Sequence, residues 1–223
     1  MHKVIPAFTT GRISQEKADQ LISKIKQVND GSLHVFFSDE RPHYRKAILK
    51  FFGQWTHPKR KGKRGRFPKR KLLPPEGLIY AQVVKHRRRG RVVKITQRVI
   101  FGTREALEEY LRRSPVNSRV NTAFVERQNE TMRHHNRRFM RKTLSFSKEM
   151  FWLSCQLHLC IGYYHFCLPH SSLRVELTSP LSTKGGGSPK KWCQITPAMS
   201  IGVTDRVWTL KELLTYIVPP EIN

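Results

Sequence analysis

Two carboxylates sit where a carboxylate can do chemistry. Asp39 lies in Ser38-Asp39-Glu40, directly after the apolar run Leu33-His34-Val35-Phe36-Phe37. A buried strand that ends in an acid presents it where open α/β sheets bind ligands, beyond the carboxyl ends of their strands. An acid placed there can hold a divalent metal, or it can serve as a turn or helix N-cap residue ahead of Pro42. Glu126 lies in NTAFVERQNETMRHHNRRFMRK. As a helix, this segment sets Glu130 one turn and Arg133 two turns along the same face. The cationic surface then continues through Arg137, Arg138, Arg141 and Lys142. Taken alone, Glu126 reads most simply as an i,i+4 pairing residue. The same placement suits a metal ligand beside residues that grip phosphates.

A second group is thiol and imidazole. Cys155, His158, Cys160, His165, Cys167 and His170 fall close together. Structural zinc prefers pairs of the C-x-x-C type. The spacing here is wider, and cysteine also serves cores as a small hydrophobe, so core filling is the simpler reading. No export signal precedes these residues, so free thiols in a reducing, cytoplasmic setting are expected. The sequence shows no P-loop, G-x-G-x-x-G or G-x-S-x-G.

Acids matter here because they are few. The 223 residues carry 42 Lys+Arg against 16 Asp+Glu, a formal net charge of +26. That much like charge repels itself in a compact state, and a polyanion relieves it. Nucleic acid is the first candidate and an acidic membrane surface the second. Mean hydropathy is −0.53, which argues against an integral membrane protein. The 19-residue stretch 150–168 lacks Lys, Arg, Asp and Glu; its Ser, Gln and His residues favour a helix buried on most faces over a span.

Three basic clusters stand out, at 57–71, 85–94 and 133–142. The first, HPKRKGKRGRFPKRK, has nine Lys/Arg in 15 residues and no acid; it cannot bury itself and reads as a basic loop. Trp55, Phe67, Tyr80 and Phe139 are interspersed as packing or stacking residues.

The elements that must position these groups follow from periodicity. Residues 3–9 read as a short strand weakened by Pro6. Ser14 caps a helix to about Val28, with Ala18, Leu21, Ile22, Ile25 and Val28 on one face. The apolar run ending at Phe37 is a strand, and a helix follows over about 43–52, closed by Gly53. Two β-rich pieces, 78–84 and 91–101, flank the turn KHRRRG, and the second alternates as a half-exposed strand does. Helices are expected at about 103–113 and 122–142. Residues 176–195, with three consecutive glycines, read as a loop. A final helix uses Val207, Trp208, Leu210, Leu213, Leu214 and Ile217. The order strand, helix, strand, acid, helix is an α/β layout.

Four blocks in order, NTAFVERQNETMR, RRFMRKTLSFSKE, YYHFCLPHSSLR and TPAMSIGVTDRVW, resemble bacterial insertion-sequence transposases with a DDE catalytic domain on a ribonuclease H-like fold. Upstream, GRISQEKADQLISKI, FFSDERPHYRKAI and LIYAQVVK are similar to the same domain. The resemblance implies that Asp39 is the second Asp of the triad, after the fourth strand. It likewise makes Glu126 the helix-borne Glu, and sets Arg133 at the basic position two turns on. In that class, three carboxylates hold two Mg2+ or Mn2+ ions for in-line attack on a DNA phosphodiester.

The sequence departs from that pattern at one end. The first Asp belongs upstream of KVIPAFTTGRIS, yet no Asp precedes Asp19, which lies in the amphipathic helix. The expectation is an N-terminally truncated domain lacking its first strand, its first catalytic Asp and the usual N-terminal DNA-binding region. Residues 1–175 would form the truncated ribonuclease H-like domain with its basic loop at 57–75. Residues 176–195 would be a loop or insertion, and 196–223 a C-terminal helical tail.

The resulting functional reading is DNA transposition by a divalent-metal, strand-transfer type of protein, inactive as a lone chain. DNA, as transposon ends and target, would be gripped by Lys59, Arg60, Lys61, Lys63, Arg64, Arg66, Arg133, Arg137, Arg138 and Arg141. A second copy or a complementing full-length transposase is the expected protein partner, no membrane is involved, and the expected location is the cytoplasm, on the nucleoid. The alternative is a non-catalytic basic DNA- or RNA-binding protein; a third reading, a ribosomal-type RNA-binding protein, rests on charge only and gives Asp39 and Glu126 no special role.

Overall fold

A computed structural model describes residues 2–29, 31, 35–58, 68–115, 118–140, 142–182 and 187–218. The chain divides into two compact units, residues 6–130 and residues 1–5 with 131–223. The boundary between residues 130 and 131 falls inside a helix.

In the first unit, Ser14 accepts from the backbone N–H of Lys17 and opens α1 (Gln15–Gln27), which buries Ala18 and Ile22 one turn apart. Strand β1 (Val35–Asp39) leads into α2 (Pro42–Phe52), which has Pro at its start and Gly53 at its end. Short strands β2 (Gln54–Thr56) and β3 (Lys71–Leu73) pair antiparallel. They flank the basic segment, of which residues 59–67 lie outside the described part. The strands β4 (Ile79–Arg88) and β5 (Arg91–Phe101) form a hairpin, so most of KHRRRG belongs to strand and only Arg89-Gly90 turns. The helix α3 (Arg104–Arg113) is capped by Thr103, and α4 spans Ala123–His135.

The sheet order is β1-β4-β5, with β1 parallel and β5 antiparallel to β4. Alternation then assigns the two faces. Tyr80, Phe101 and Phe36 pack with Ala18, Ile22, Ala47 and Ile48 of α1 and α2. Ile79, Ala81 and Val83, with Val35 and Phe37, pack with Leu107 and Leu111 of α3 and with Val120. Helices therefore cover both faces of a mixed sheet. This bears out the α/β expectation and explains why β4 is buried without interruption from Ile79 to Val84.

The second unit contains a 3-10 turn (Arg137–Phe139), α5 (Met150–Phe166), β6 (His170–Leu181) paired antiparallel with β7 (Lys190–Ile195), α6 (Pro197–Ser200) and α7 (Leu210–Thr215).

Several expectations are corrected. Residues 3–9 form no strand; Pro6 lacks the donor a ladder needs, and Ile5 instead gives its N–H to the His165 imidazole at 2.9 Å. The helix expected to reach Lys142 ends at His135, because Asn136 caps the following 3-10 turn through its side chain. The segment 176–195 contributes to a β hairpin, with residues 176–181 in β6 and 190–195 in β7, while residues 183–186 lie outside the described part. The helix over 150–168 is not buried on most faces. Only Tyr164 is buried, while Met150, Phe151 and Trp152 are exposed, because α5 packs on α6 and α7 mainly through its C-terminal half, as at Gly162 and Phe166. The tail forms two short helices in place of one.

Candidate functional site

Asp39 ends β1 and pairs in register with Val83 of β4. Its carboxylate caps no helix: the residue at the N-cap of α2 is Arg41, and no side chain caps that end. Instead, Arg41 Nε donates to Asp39 Oδ2 at 2.8 Å, with both side chains about half exposed. On the other face of the sheet, next to Asp39 in sequence, Ser38 belongs to a small polar network. Ser38 Oγ is 2.8 Å from Tyr80 Oη, and Gln82 Nε2 donates to Tyr80 Oη at 2.8 Å and reaches the Arg41 carbonyl at 3.4 Å. Tyr80 and Gln82 are buried. Burial raises the Tyr80 phenol, and the Asp39 charge pushes the same way. Buried polar groups of this kind fix side chains only when fully satisfied.

Glu126 lies in the first turn of α4, where its backbone N–H bonds the Thr122 carbonyl at 3.0 Å and the helix dipole favours an anion. Its carboxylate is not engaged by a residue one turn further along the helix. Lys85 Nζ of β4 donates to Oε1 at 2.6 Å, and Thr122 Oγ1 donates to the same oxygen at 2.9 Å. Together, Lys85 first and Thr122 second, they hold the Glu126 carboxyl below its usual range.

The register relates the two acids. Asp39 shares the sheet face of Val83, and Lys85 is the next β4 residue on that face. The Cα atoms of Asp39 and Lys85 are therefore diagonal neighbours, about 8 Å apart from strand spacing and rise. Residues 87 positions apart in the sequence are thus both linked to one sheet face, Asp39 on its own strand and Glu126 through the Lys85 side chain. Sequence reasoning missed Lys85 and Arg41 as partners. Lys85 sat inside a recognised basic cluster, and its pairing depends on a strand register that periodicity does not report.

A two-metal centre needs many oxygen donors. Among the described residues, no group of three His, Cys, Asp or Glu side chains could hold a metal ion. Each of the two acids already faces a basic side chain. The described donor set falls short of a two-metal site.

Lys59, Arg60, Lys61, Lys63, Arg64, Arg66, Phe67 and Arg141 lie outside the described residues. Arg133 lies in the last turn of α4. Arg137 and Arg138 are exposed on the 3-10 turn and do not continue a helical stripe; Arg138 reaches Ser147 Oγ at 3.4 Å. Trp55 is exposed with the Arg70 guanidinium 4.4 Å above its ring, whereas Tyr80 is core.

Two imidazoles of the second unit, His165 and His170, are partly buried. Ile5 donates to His165 Nε2, and Tyr164 Oη donates to the Lys3 carbonyl at 3.1 Å. Burial lowers His165, with His170 adding to it, and burial lowers His170, with Lys3 and His135 adding to it. Cys155, Cys160, Cys167 and Cys193 are free thiols. No described helix is long and apolar enough to cross a membrane. Comparison with protein-family models, with curated proteins and with solved structures finds no match to this chain.

Proposed function

We propose that this chain is a transposase-type DNA-binding protein whose first unit is a ribonuclease H-like domain, with Asp39 and Glu126 as two carboxylates of its site. One observation carries the reading: an acid at the carboxyl end of a parallel strand shares its sheet face with a lysine, Lys85, that binds an acid on a distant helix. Ligands of open α/β sheets bind beyond those strand ends. Two further features agree with it. Among the described residues β1 has one strand neighbour, β4, leaving its other edge for the first strand that the resemblance calls for. The net charge of +26 supplies the attraction for a polyanion.

On this reading the chain's basic residues bind DNA phosphates. Arg41 and Lys85 neutralise the two acids, so that the edge does not repel the backbone. Mg2+ or Mn2+ enters the proposal only as a weak ligand of Asp39 and Glu126, in competition with those two cations. The second reading, a non-catalytic basic nucleic-acid-binding protein, is favoured by one observation, that both acids are already paired.

The test is affinity for a labelled 30-base-pair duplex across a salt series. Neutralising five or more phosphates gives a log–log slope of about −4.5 or steeper. Salt-insensitive binding, or a preference for anionic phospholipid vesicles over the duplex, would remove the DNA reading. Added Mg2+ discriminates the two readings: Asp39→Ala and Glu126→Ala alter its binding in the first and leave it unchanged in the second.

A further inference from the structure

The β4–β5 hairpin outgrows the sheet that carries it. β1 pairs with β4 only as far as Val83, yet β4 and β5 remain paired to Arg88 and Arg91. Residues 84–88 thus run about 16 Å beyond that point at the usual rise. Arg89 and Gly90, with φ of 48° and 79°, close the hairpin with the two left-handed residues that a two-residue turn of matching twist requires. A bulge at Val93, where the partners shift from His86↔Lys94 to Arg87↔Val92, adds twist to the ribbon.

The register sorts its side chains. His86 and Arg88 share one face with Lys94 and Arg91, their direct partners. The contact of His86 Nε2 with Thr96 Oγ1 at 2.9 Å lies on this face. Arg88 stands directly opposite Arg91, an arrangement that like charge makes unfavourable. Among the described residues, no acid pairs with Arg87, Arg88, Arg89, Arg91 or Lys94. The ribbon also exposes apolar side chains beside Arg87: Val92, Val93 and Ile95 are 43%, 62% and 60% exposed.

We propose that this ribbon is a DNA-binding arm that enters the major groove of duplex DNA. The major groove is about 12 Å wide and admits a two-stranded ribbon. The unpaired arginines find phosphate or guanine there, and the exposed valines and isoleucine suit thymine methyl groups. The anion also relieves the Arg88–Arg91 repulsion. The inference deepens the DNA-binding reading and rests on it.

The experiment uses the full chain and the same labelled duplex. The variant R88Q/R91Q/K94Q is compared with R104Q/R112Q/R113Q, which removes equal charge from α3 of the same unit. The ribbon variant should flatten the log–log salt slope by about 2–3 units, and the α3 variant by less than about one. The single changes R88Q and R91Q, each worth about one unit, give the same answer should the triple variant not fold. The wild-type chain should also shield guanine N7 in the duplex from methylation, and the ribbon variant should not. Equal slopes for the ribbon and α3 variants overturn the arm, leaving the DNA reading intact. Failure of the wild-type chain to bind any duplex overturns the DNA reading itself. Ribbon-dependent binding that is tighter to single strands or to anionic vesicles overturns the choice of partner.

Discussion

The two units use apolar residues in opposite ways. The first unit puts them at positions that alternate or recur by the turn, and both faces of its sheet are closed by helices. Ile22, Ile48, Leu78, Tyr80 and Ala81 are buried. The second unit has the most continuously apolar helix in the chain, α5, and buries little of it: Trp152 is 59% and Phe151 64% exposed. Amphipathic pattern, more than apolar content, decides what is buried, because a helix buries the face its neighbours cover.

The largest test of this contrast is a pair of truncations. Ile48→Ala removes a side chain that is 2% exposed and should cost about 2–5 kcal/mol. Trp152→Ala removes a larger side chain yet should change stability by less than about 0.5 kcal/mol. Chemical denaturation with amide exchange of β4 and α5 reads both. Equal losses would end the contrast.

Acid should separate the units next. His165 and His170 have folded values below the ordinary 6.5, from burial and neighbouring cations. The unfolded chain therefore binds their protons first, and stability is lost as pH falls below about 6.5 toward the depressed values. Lys3 and His135 face the same cluster and sharpen the effect. In the first unit, Glu126 is held low, by its Lys85 hydrogen bond first, so its contribution is lost only below the ordinary value of 4.5. Between pH 7 and pH 5, amide protection should fall in β6 and α5 and hold in β4. Loss in β4 first would contradict this assignment.

The smallest effect belongs to the site. The Lys85–Glu126 pair is 34% and 56% exposed, and such pairs contribute about 0.2–1 kcal/mol. Lys85→Ala should cost no more, measured by denaturation, while releasing the Glu126 carboxyl toward its ordinary range by NMR titration. A loss of several kcal/mol would mean that the pair is a packing keystone of α4.

What the sequence reveals follows the same division. α1, α2, α3 and the β4–β5 hairpin carry full periodic faces with caps at Ser14 and Thr103 and a stop at Gly53, so local residues alone define them. β2 and β3 are three residues each, too short for a period to register. The β6–β7 hairpin is interrupted by shifts in register between His170 and Arg174 and between Glu176 and Leu181, which break the alternation. α4 stops at a capping Asn136 inside a run of helix-compatible residues. Asp39 is legible because an acid follows an apolar strand. The Glu126–Lys85 contact is not, since a one-residue slip of register would have turned Lys85 to the opposite face.

The central proposal is that Asp39 and Glu126 belong to a DNA-handling edge that does not itself cut. The direct measurement is plasmid nicking by the purified full chain with Mg2+ and with Mn2+, beside Asp39→Ala and Glu126→Ala. Two-metal phosphoryl transfer must hold the attacking and leaving oxygens together, and the described donors fall short of that. The account predicts plasmid binding with no metal-dependent nicking by any of the three proteins. Nicking by the wild-type chain that both substitutions abolish would contradict it.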